Sequence, residues 1–392
     1  MDSAEREGLR PKGNVPNLRF PEFQGEWEEH YLSDYLDFKN GLNPKPDKFG
    51  RGIKFISVMD ILNNTVITND CIRVSVDVSE EELHNFCVEN GDMLFQRSSE
   101  TLEDVGRANV YMDDKPAVFG GFVIRGKKKA EYNPLFFRYL LASPFARRKI
   151  IPIGAGAQHF NIGQEGLNRV KLHFASLDEQ KKIATFLSLL DERIATQNKI
   201  IEDLKKLKSA ISKKLLCNDK WTTYKIQDIA EIGRGRVISS VEIDRQKHPL
   251  YPVYSSQTSN NGIMGYLDNY MFDGEYITWT TDGANAGTVF YRKGKFNCTN
   301  VCGTLKILPK FDCYFVSLVL QQATQKYVSS NLANPKLMNN TMASIKIRMP
   351  NIETQKQLSK VFQTLDSCLL VHQRTCKMYL SEKQYLLRQM FI

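Results

Sequence analysis

The sequence predicts an α+β protein in which two mixed α/β globular domains are separated by an antiparallel pair of long coiled-coil helices. A pseudo-twofold internal repeat is expected to relate the two halves. One phrase occurs twice, as LDEQKKIATFLSLLDERI at 177–194 and as IETQKQLSKVFQTLDSCL at 352–369. Both copies continue into the same pattern of apolar residues. A repeated sequence indicates a repeated structural unit, so these two observations decide the predicted architecture.

Each copy of the phrase is expected to open a helix. Ser176 stands at the N-cap position of the first copy, and Glu179 completes a capping box with it. Asn351 occupies the equivalent cap position of the second copy, directly after Pro350. We therefore predict a central long helix over 177–217 and a C-terminal long helix that begins at 351.

Both helices carry the alternating spacing of a coiled-coil seam, with apolar residues four and three positions apart. The seam of the first helix consists of Ile183, Leu187, Leu190, Ile194, Ile201, Leu204, Ile211 and Leu215. Moving 175 positions along the chain gives Leu358, Phe362, Leu365, Leu369, Cys376, Tyr379, Leu386 and Met390. Polar residues interrupt both seams at equivalent places, Gln197 and Lys208 in the first and His372 and Lys383 in the second. Because the polar interruptions recur at the same places as the apolar spacing, the two helices are expected to pack on each other.

The segments before the helices repeat as well. The stretch from Trp27 to Gly41 matches the stretch from Trp221 to Gly235, and β-rich segments that start at Gly91 and Gly274 resemble each other. The predicted organisation is an N-terminal extension over 1–26, globular domains over 27–176 and 221–350, and helices over 177–217 and 351–392. A central helix of ~60 Å would place the second domain at its far end, as in a dumbbell.

Composition narrows the function classes. Hydrophobic residues make up 42% of the chain and charged residues 25%, which is typical of a globular protein. The sequence has no recognisable secretory signal and no apolar run long enough for a membrane span, so we expect a cytoplasmic protein without membrane contact. The eight cysteines are scattered and never spaced as CxxC, which favours free thiols in a reducing compartment. Cys298, Cys302 and Cys313 lack the spacing of common zinc sites.

Motifs for catalysis are missing from the sequence. It contains neither a phosphate-binding GxxxxGK[ST] loop nor a metal-binding HExxH pair, and it contains no Pro-Pro dipeptide. The missing Pro-Pro excludes the loop with which amino-DNA methyltransferases hold their target base. We therefore predict no catalytic residues, no metal site and no cofactor bound by this chain.

Basic and amide side chains in the globular domains indicate a nucleic-acid partner. The net charge of +9 points to a polyanion, and such clusters can bind phosphates and base edges. The candidate DNA-binding residues are Lys45, Lys48, Arg51, Lys54, Gln96, Arg97, Ser98, Arg147, Arg148, Gln158, His159, Asn161, Arg234, Arg236, Ser255, Ser256, Gln257, Trp279, Thr280, Asp282, Asn285, Asn334 and Lys336.

Two of these clusters fall at matching places in the repeat. Gln96-Arg97-Ser98 is aligned with Trp279-Thr280-Thr281, and the loop 158–161 is aligned with the loop 333–336, from Ala333 to Lys336. The scaffold therefore repeats while the polar residues on it differ. Two domains of one fold that carry different loops are expected to read two different short DNA sequences.

The order and doubling of these segments resemble the specificity subunit of Type I restriction-modification systems. The resemblance rests on the opening VPNLRFPEFQGEWEEHYLSDYLDF, on WTTYKIQDIAEIGRG, and on the two phrases ASLDEQKKIATFLSLLDERI and PNIETQKQLSKVFQTLDSCL. It covers about residues 15–392. It implies that each globular domain is a target recognition domain for one half of an asymmetric bipartite site in double-stranded DNA. The helix pair would set the gap between the half-sites.

The resemblance also implies partners. Two methyltransferase subunits and two restriction subunits would complete the complex, and S-adenosylmethionine, ATP and Mg would bind to those partners. Contacts with the partner subunits are expected from Leu177, Glu179, Gln180, Phe186, Asp191, Ile352, Gln355, Val361 and Asp366. The C-terminal copy is the weaker match, because Thr354 replaces Glu179 and LDSCL replaces LDERI.

Two other hypotheses compete with this interpretation. A single-chain modification and cleavage enzyme would need the methyltransferase and phosphate-binding loops that are missing. A non-enzymatic coiled-coil scaffold would bind proteins only, and exchanging residues 27–175 for the domain of another variant would then leave the methylated sequence unchanged.

Overall fold

A computed structural model describes residues 13–216, 219–329 and 334–392. Residues 1–12 of the predicted N-terminal extension, Cys217 with the predicted end of the central helix, residue 218 of the predicted connection, and Ala333 lie outside the described residues. The chain divides into two compact units, which we call unit 1 (Met1–Asn198 and Arg374–Ile392) and unit 2 (Lys199–Gln373).

Unit 1 contains small antiparallel and mixed sheets. Strand β1 (Glu28–Tyr31) pairs with β12 (Lys171–Phe174). A four-stranded sheet has the order β2 (Leu36–Asn40), β10 (Val123–Lys128), β6 (Met93–Gln96) and β8 (Ala108–Val110). A second has the order β4 (Ser75–Val76), β3 (Phe49–Ile56), β9 (Ala117–Phe119) and β5 (Cys87–Val88). A short ribbon joins β7 (Ser98–Ser99) to β11 (Phe160–Asn161).

Unit 2 repeats this topology. Strand β13 (Thr222–Lys225) pairs with β21 (Lys346–Met349). The four-stranded sheet has the order β14 (Ala230–Arg234), β20 (Cys302–Ile307), β17 (Glu275–Thr280) and β18 (Val289–Lys293). A three-stranded sheet has the order β16 (Ile263–Leu267), β15 (Tyr251–Tyr254) and β19 (Asn297–Cys298). Both units place one parallel strand pair in the second sheet, β3 with β9 and β15 with β19.

The helices complete each unit. Unit 1 holds α1 (Leu32–Tyr35), α2 (Val58–Asn63), α3 (Glu80–Phe86), α4 (Pro134–Ala142), α5 (Pro144–Ile150) and α6 (Gln164–Asn168), with 3₁₀ turns at Pro46–Lys48, Asn69–Cys71 and Ile151–Ile153. Unit 2 holds α8 (Ser240–Asp244), α9 (Cys313–Ala323) and α10 (Asn339–Ser344), with 3₁₀ turns at Ile226–Asp228, Ser259–Gly262 and Thr324–Tyr327. The central helix α7 (Leu177–Leu215) and the C-terminal helix α11 (Ile352–Gln389) each contribute to both units.

The helix starts are capped as the repeat predicts, with one difference. The Ser176 hydroxyl accepts from the Glu179 amide at 3.4 Å, and the Asn351 amide oxygen accepts from the Thr354 amide at 2.9 Å. The Glu179 carboxylate does not return to the cap, so the predicted capping box is half formed. It accepts instead from the guanidinium of Arg19 at 2.7 Å and from the indole of Trp27 at 3.2 Å.

The two long helices run antiparallel inside each unit. In unit 1, Asp191 pairs with Lys383 and Asn198 accepts from Cys376, so residue numbers rise on one helix as they fall on the other. In unit 2, Lys208 pairs with Asp366. The lysines that interrupt the two seams are therefore both partners of an aspartate on the facing helix. The predicted fold class, with two mixed α/β domains and two long helices, is confirmed.

The seam residues also belong to the cores of the globular domains. Ile183 and Leu187 pack in one cluster with Trp27 and Phe136 of unit 1. Phe362 packs with the large core of unit 2, and Leu216 joins it. Leu215, the predicted last seam residue, is exposed, because the helix ends there and the next residue turns inward.

None of the helices in the described part of the chain combines the length and the apolar content that a membrane span requires. Over the same residues, no three His, Cys, Asp or Glu side chains cluster closely enough to hold a metal ion.

Candidate nucleic-acid interface

In unit 1, several predicted DNA contacts meet at the end of strand β6. We call this region, formed by 42–48, 97–99, 120–122 and 159–161, the unit 1 tip. The Arg97 amide donates to Phe122 O at 2.9 Å, and the amide of residue 162 donates to Arg97 O at 3.0 Å. The ribbon of β7 and β11 then places Ser98 opposite Asn161. Backbone hydrogen bonds thus bring together loops that are more than sixty residues apart in sequence.

The tip presents hydrogen-bonding groups and cations to solvent. His159 and Asn161 are exposed, as is Gln158 next to them in the chain, and Lys45 of the 42–48 segment is exposed as well. Lys48 and Arg51 share Asp77, with nitrogen–oxygen distances of 3.7 and 3.3 Å. Since exposed ion pairs of this kind are weak, both cations can exchange Asp77 for a phosphate.

Four predicted contacts in unit 1 have other positions. Gln96 is buried below the tip and donates to Ser98 O at 3.0 Å. Arg147 donates to the backbone of 103 and 105, and burial lowers its pKa to about 10. The ammonium of Lys54 donates to Ile72 O at 2.8 Å, and Arg148 lies over the ring of Phe145 at 4.6 Å. Gln96 was predicted as a DNA-binding residue, but its buried side chain supports the loop from inside and is not on the surface of the tip.

The equivalent loops of unit 2 form what we call the unit 2 tip, residues 234–236, 281–285 and 334–338. The Thr281 amide donates to Val301 O, and the Leu337 amide donates to Thr281 O, both at 2.9 Å. Asp282 faces Lys336 as a β-bridge, and their charged groups lie 3.5 Å apart. This bridge occupies the place that Ser98 and Asn161 have in unit 1.

The remaining predicted contacts of unit 2 surround this bridge or lie in a separate loop. Asn285 and Asn334 are exposed, and Arg234 donates to the Met338 sulfur at 3.7 Å. Arg236 forms a two-pronged ion pair with Glu242, which raises the pKa of Arg236 and lowers that of Glu242. A further loop carries half-buried polar residues between β15 and β16, namely Ser255, Ser256 and Gln257.

The structure aligns Asn161 with Lys336, as predicted from the sequence, but shifts the alignment of 96–98 by one residue. Because the amides of Arg97 and Thr281 make equivalent bonds, Gln96 corresponds to Thr280 and Ser98 to Asp282. Trp279 is one step further into the strand and is fully buried, with its indole nitrogen donating to Leu337 O at 2.9 Å. Thr280 is buried too. Trp279 and Thr280 are therefore core residues, and the predicted DNA contacts at these two positions are wrong.

The starts of the long helices are fastened to the globular domains by two equivalent glutamines. Gln180 accepts from the Asn133 amide at 2.9 Å and donates to Ala175 O at 2.9 Å. Gln355 accepts from the Asp312 amide at 3.0 Å and donates to Pro350 O at 2.8 Å. Both side chains are buried, so they link parts of this chain.

Two aspartates on the long helices have equivalent networks. Asp191 accepts from Tyr139 at 2.8 Å, from Arg138 at 3.2 Å and from Lys383. Burial and the neighbouring Asp191 raise the pKa of Tyr139, while burial lowers the pKa of Lys383. Asp366 accepts from the Tyr314 hydroxyl at 2.6 Å and from Lys208.

These contacts correct part of the predicted partner surface. Glu179, Gln180, Asp191 and Gln355 are buried and bonded within the chain, so the prediction of partner contact is wrong for these four residues. The family resemblance implied partner contacts at these positions, but here the four side chains join the long helices to other parts of this chain. Leu177, Phe186 and Val361 are exposed, and Ile352 and Asp366 are half-buried.

In unit 1, the exposed part of the predicted partner surface adjoins an apolar cleft that the sequence did not reveal. It has a volume of about 470 Å³ and includes Phe20, Phe23, Phe186 and Leu189 in its lining. The rings of Phe20 and Phe186 meet edge to face at 5.8 Å. The Arg19–Glu179 pair holds the N-terminal segment in this position.

Comparison with known proteins places this arrangement in a family. The family described as "Type I restriction modification DNA specificity domain" matches residues 24–206 and again residues 218–377. The two matches together take up most of the chain. The chain belongs to this family. It is a Type I specificity subunit with two target recognition domains.

Relatives and solved structures agree with this assignment. A putative type I specificity subunit of Mycoplasma pneumoniae, S.MpnORF201P, is 38% identical over 195 residues, which cover 49% of this chain and 81% of the relative. The MpnII specificity subunit of the same organism is 42% identical over 145 residues, covering 37% and 43%. The fold is shared with a crystal structure of the S subunit from M. genitalium, with a TM-score of 0.68, 17% identity and coverage of 96% and 99%.

Proposed function

We propose that each unit reads one half of an asymmetric bipartite site in double-stranded DNA. One observation carries this proposal: the two tips have equivalent backbone bonds but different side chains. Ser98 and Asn161 meet in unit 1, where Asp282 and Lys336 meet in unit 2. Hydroxyl and amide groups bind base edges differently from a carboxylate and an ammonium group, so the two tips favour different base pairs.

The experiment uses the chain purified with its methyltransferase partner. Variants S98A/N161A and D282A/K336A should each relax one half of the protected sequence, at about 1–3 kcal/mol for each base pair no longer read. The matched control is E89A/K127A, which removes an exposed ion pair of unit 1 outside the tip. Affinity for all duplexes should fall steeply with salt, because cations of the tips replace counterions.

Equal affinity for every duplex would contradict the proposal and favour the protein-binding scaffold instead. A loss of both halves in either variant would also contradict it, because each tip would then fail to act independently.

The helix pair is proposed to set the gap between the half-sites. The central helix has 39 residues, or ~58 Å at 1.5 Å per residue, which is more than one turn of B-DNA. Because Lys208 faces Asp366, seven residues inserted after Lys206 need seven matching residues after Ser367. The insertion should lengthen the gap by about three base pairs and leave each half-site unchanged. A constant gap in this variant would contradict the role of the helices.

Recruitment of two methyltransferase subunits, and through them two restriction subunits, completes the proposal. S-adenosylmethionine, ATP and Mg would act on those partners, and this chain would contribute no catalytic residue. A solved structure of the type I R-M system, described for its complex assembly, shares this fold with a TM-score of 0.55 and 12% identity. The exposed side chains of Phe186 and Val361 at equivalent helix positions support two similar contacts. Phe186→Asp should weaken capture of a methyltransferase subunit, and Glu192→Gln on the same helix should not.

A further inference from the structure

The unit 1 tip carries an exposed aromatic side chain that polar recognition does not explain. Phe122 is 69% exposed, and it follows two glycines in the turn between β9 and β10. A Cβ atom on Gly121 would lie 2.0 Å from the side-chain oxygen of Asn43, so a larger residue there would have to displace the Asn43 side chain. The Phe122 carbonyl accepts from Arg97, which fixes the backbone under the ring.

Phe122 lines an apolar cleft of about 560 Å³. Phe49, Phe55 and Met59 contribute to the same cleft, and Phe49 and Met59 are exposed as well. The polar members of the lining include Ser98 and His159, which belong to the proposed DNA-reading tip. Exposed apolar side chains that adjoin base-reading groups mark a binding surface more strongly than an isolated exposed residue does.

We propose that Phe122 and its cleft bind the 5-methyl group of a thymine in the half-site that unit 1 reads. This inference rests on the proposed function. The thymine methyl is the apolar group that a base pair presents in the major groove, and phenylalanine is one of the side chains that contacts it. Ser98 and His159 beside the cleft would hydrogen-bond to neighbouring base edges, and the exposed Lys45 would face the phosphates. The tip thus combines apolar and polar groups for contacts with bases and a cation for contacts with phosphates.

Comparison with the unit 2 tip supports a role for Phe122 in specificity. Arg97 and Thr281 make equivalent backbone bonds, so Val301 holds the place of Phe122 in unit 2. Val301 is smaller and half-buried. The large exposed ring is therefore a feature of one recognition domain, as expected of a residue that serves one half-site.

The test replaces each thymine of the unit 1 half-site by deoxyuridine, which removes only the methyl group. Binding is measured with the chain in complex with its methyltransferase partner. At one thymine, deoxyuridine should weaken binding of the wild-type complex about fourfold, the equivalent of about 0.8 kcal/mol for one buried methyl group. With Phe122→Ala, binding should be weaker and insensitive to that replacement. Met59→Ala in the same cleft should reduce the sensitivity, and Val74→Ala, an exposed side chain outside the cleft lining, should leave it intact.

The proposal is overturned if the half-site contains no thymine, if no replacement affects the wild-type complex, or if Phe122→Ala keeps the full sensitivity. It is also overturned if Phe122→Ala releases the methyltransferase subunit, since the cleft would then bind protein. In each case, sequence-specific binding of the complex shows separately whether the proposed function stands. A complex without any sequence preference would contradict both the proposed function and the inference about thymine.

Discussion

The equivalent aspartates Asp191 and Asp366 are expected to differ greatly in what they contribute to stability. The Asp191 side chain is 9% exposed and its partner Lys383 is 19% exposed, whereas Asp366 is 40% exposed. Asp191→Asn leaves the ammonium of Lys383 and the guanidinium of Arg138 without their carboxylate inside the protein. Breaking a buried ion pair in this way costs about 3–5 kcal/mol, whereas a pair that remains partly exposed, such as Lys208–Asp366 at 24% and 40%, contributes about 1 kcal/mol.

Hydrogen–deuterium exchange measures the loss of stability caused by each variant in the helix that carries it. Protection of amides over 187–195 should fall by about 150-fold or more in Asp191→Asn, because 1.4 kcal/mol corresponds to a factor of ten. Protection over 362–370 should fall only about fivefold in Asp366→Asn. The triple variant R138M/D191L/K383M, which replaces all three charges by apolar groups, should recover much of the lost protection. Equal losses in the two single variants would refute the reasoning from burial.

Two further predictions concern the N-terminal segment and the thiols. Glu179→Gln should weaken the attachment of that segment by about 3 kcal/mol, so trypsin should cleave it about 100-fold faster, while the exposed control Glu192→Gln should match the wild type. Iodoacetamide should label the exposed Cys368 at pH 8 before Cys302 and Cys313, because burial raises their pKa values to about 11 and about 12. Only about 0.1% of Cys302 is thiolate at pH 8, and its labelling rate should rise tenfold per pH unit toward its pKa; early labelling of Cys302 would show that its surroundings open.

The internal repeat made much of the fold predictable from sequence. Duplicated caps at Ser176 and Asn351 predicted both helix starts, and duplicated interruptions at Lys208 and Lys383 predicted equivalent environments. The reason for the interruptions was not predictable, because it depends on which aspartate faces each lysine across the helix pair. That register is a tertiary property, although Asp191 and Asp366 themselves stand 175 residues apart and were visible in the repeated phrase.

The details of the tips were less predictable for two physical reasons. The last residues of β6 and β17 are buried on both faces of each strand, so Gln96, Trp279 and Thr280 lie inside the protein although their polar neighbours indicated a DNA surface. Phe122 stands in an apolar, β-rich segment, where a phenylalanine usually indicates the core. Its position in the turn between β9 and β10 is fixed by the bond from the Arg97 amide to Phe122 O, a tertiary contact that the sequence pattern does not show.

The central claim is that the two units recognise separate short sequences. The most direct measurement is a genome-wide map of methylated adenines in cells that express this chain with its methyltransferase partner, repeated with the S98A/N161A variant. We expect a two-part motif with a fixed gap in the wild type, and in the variant a motif in which only one part has changed. A single continuous motif, or a change in both parts, would contradict the claim.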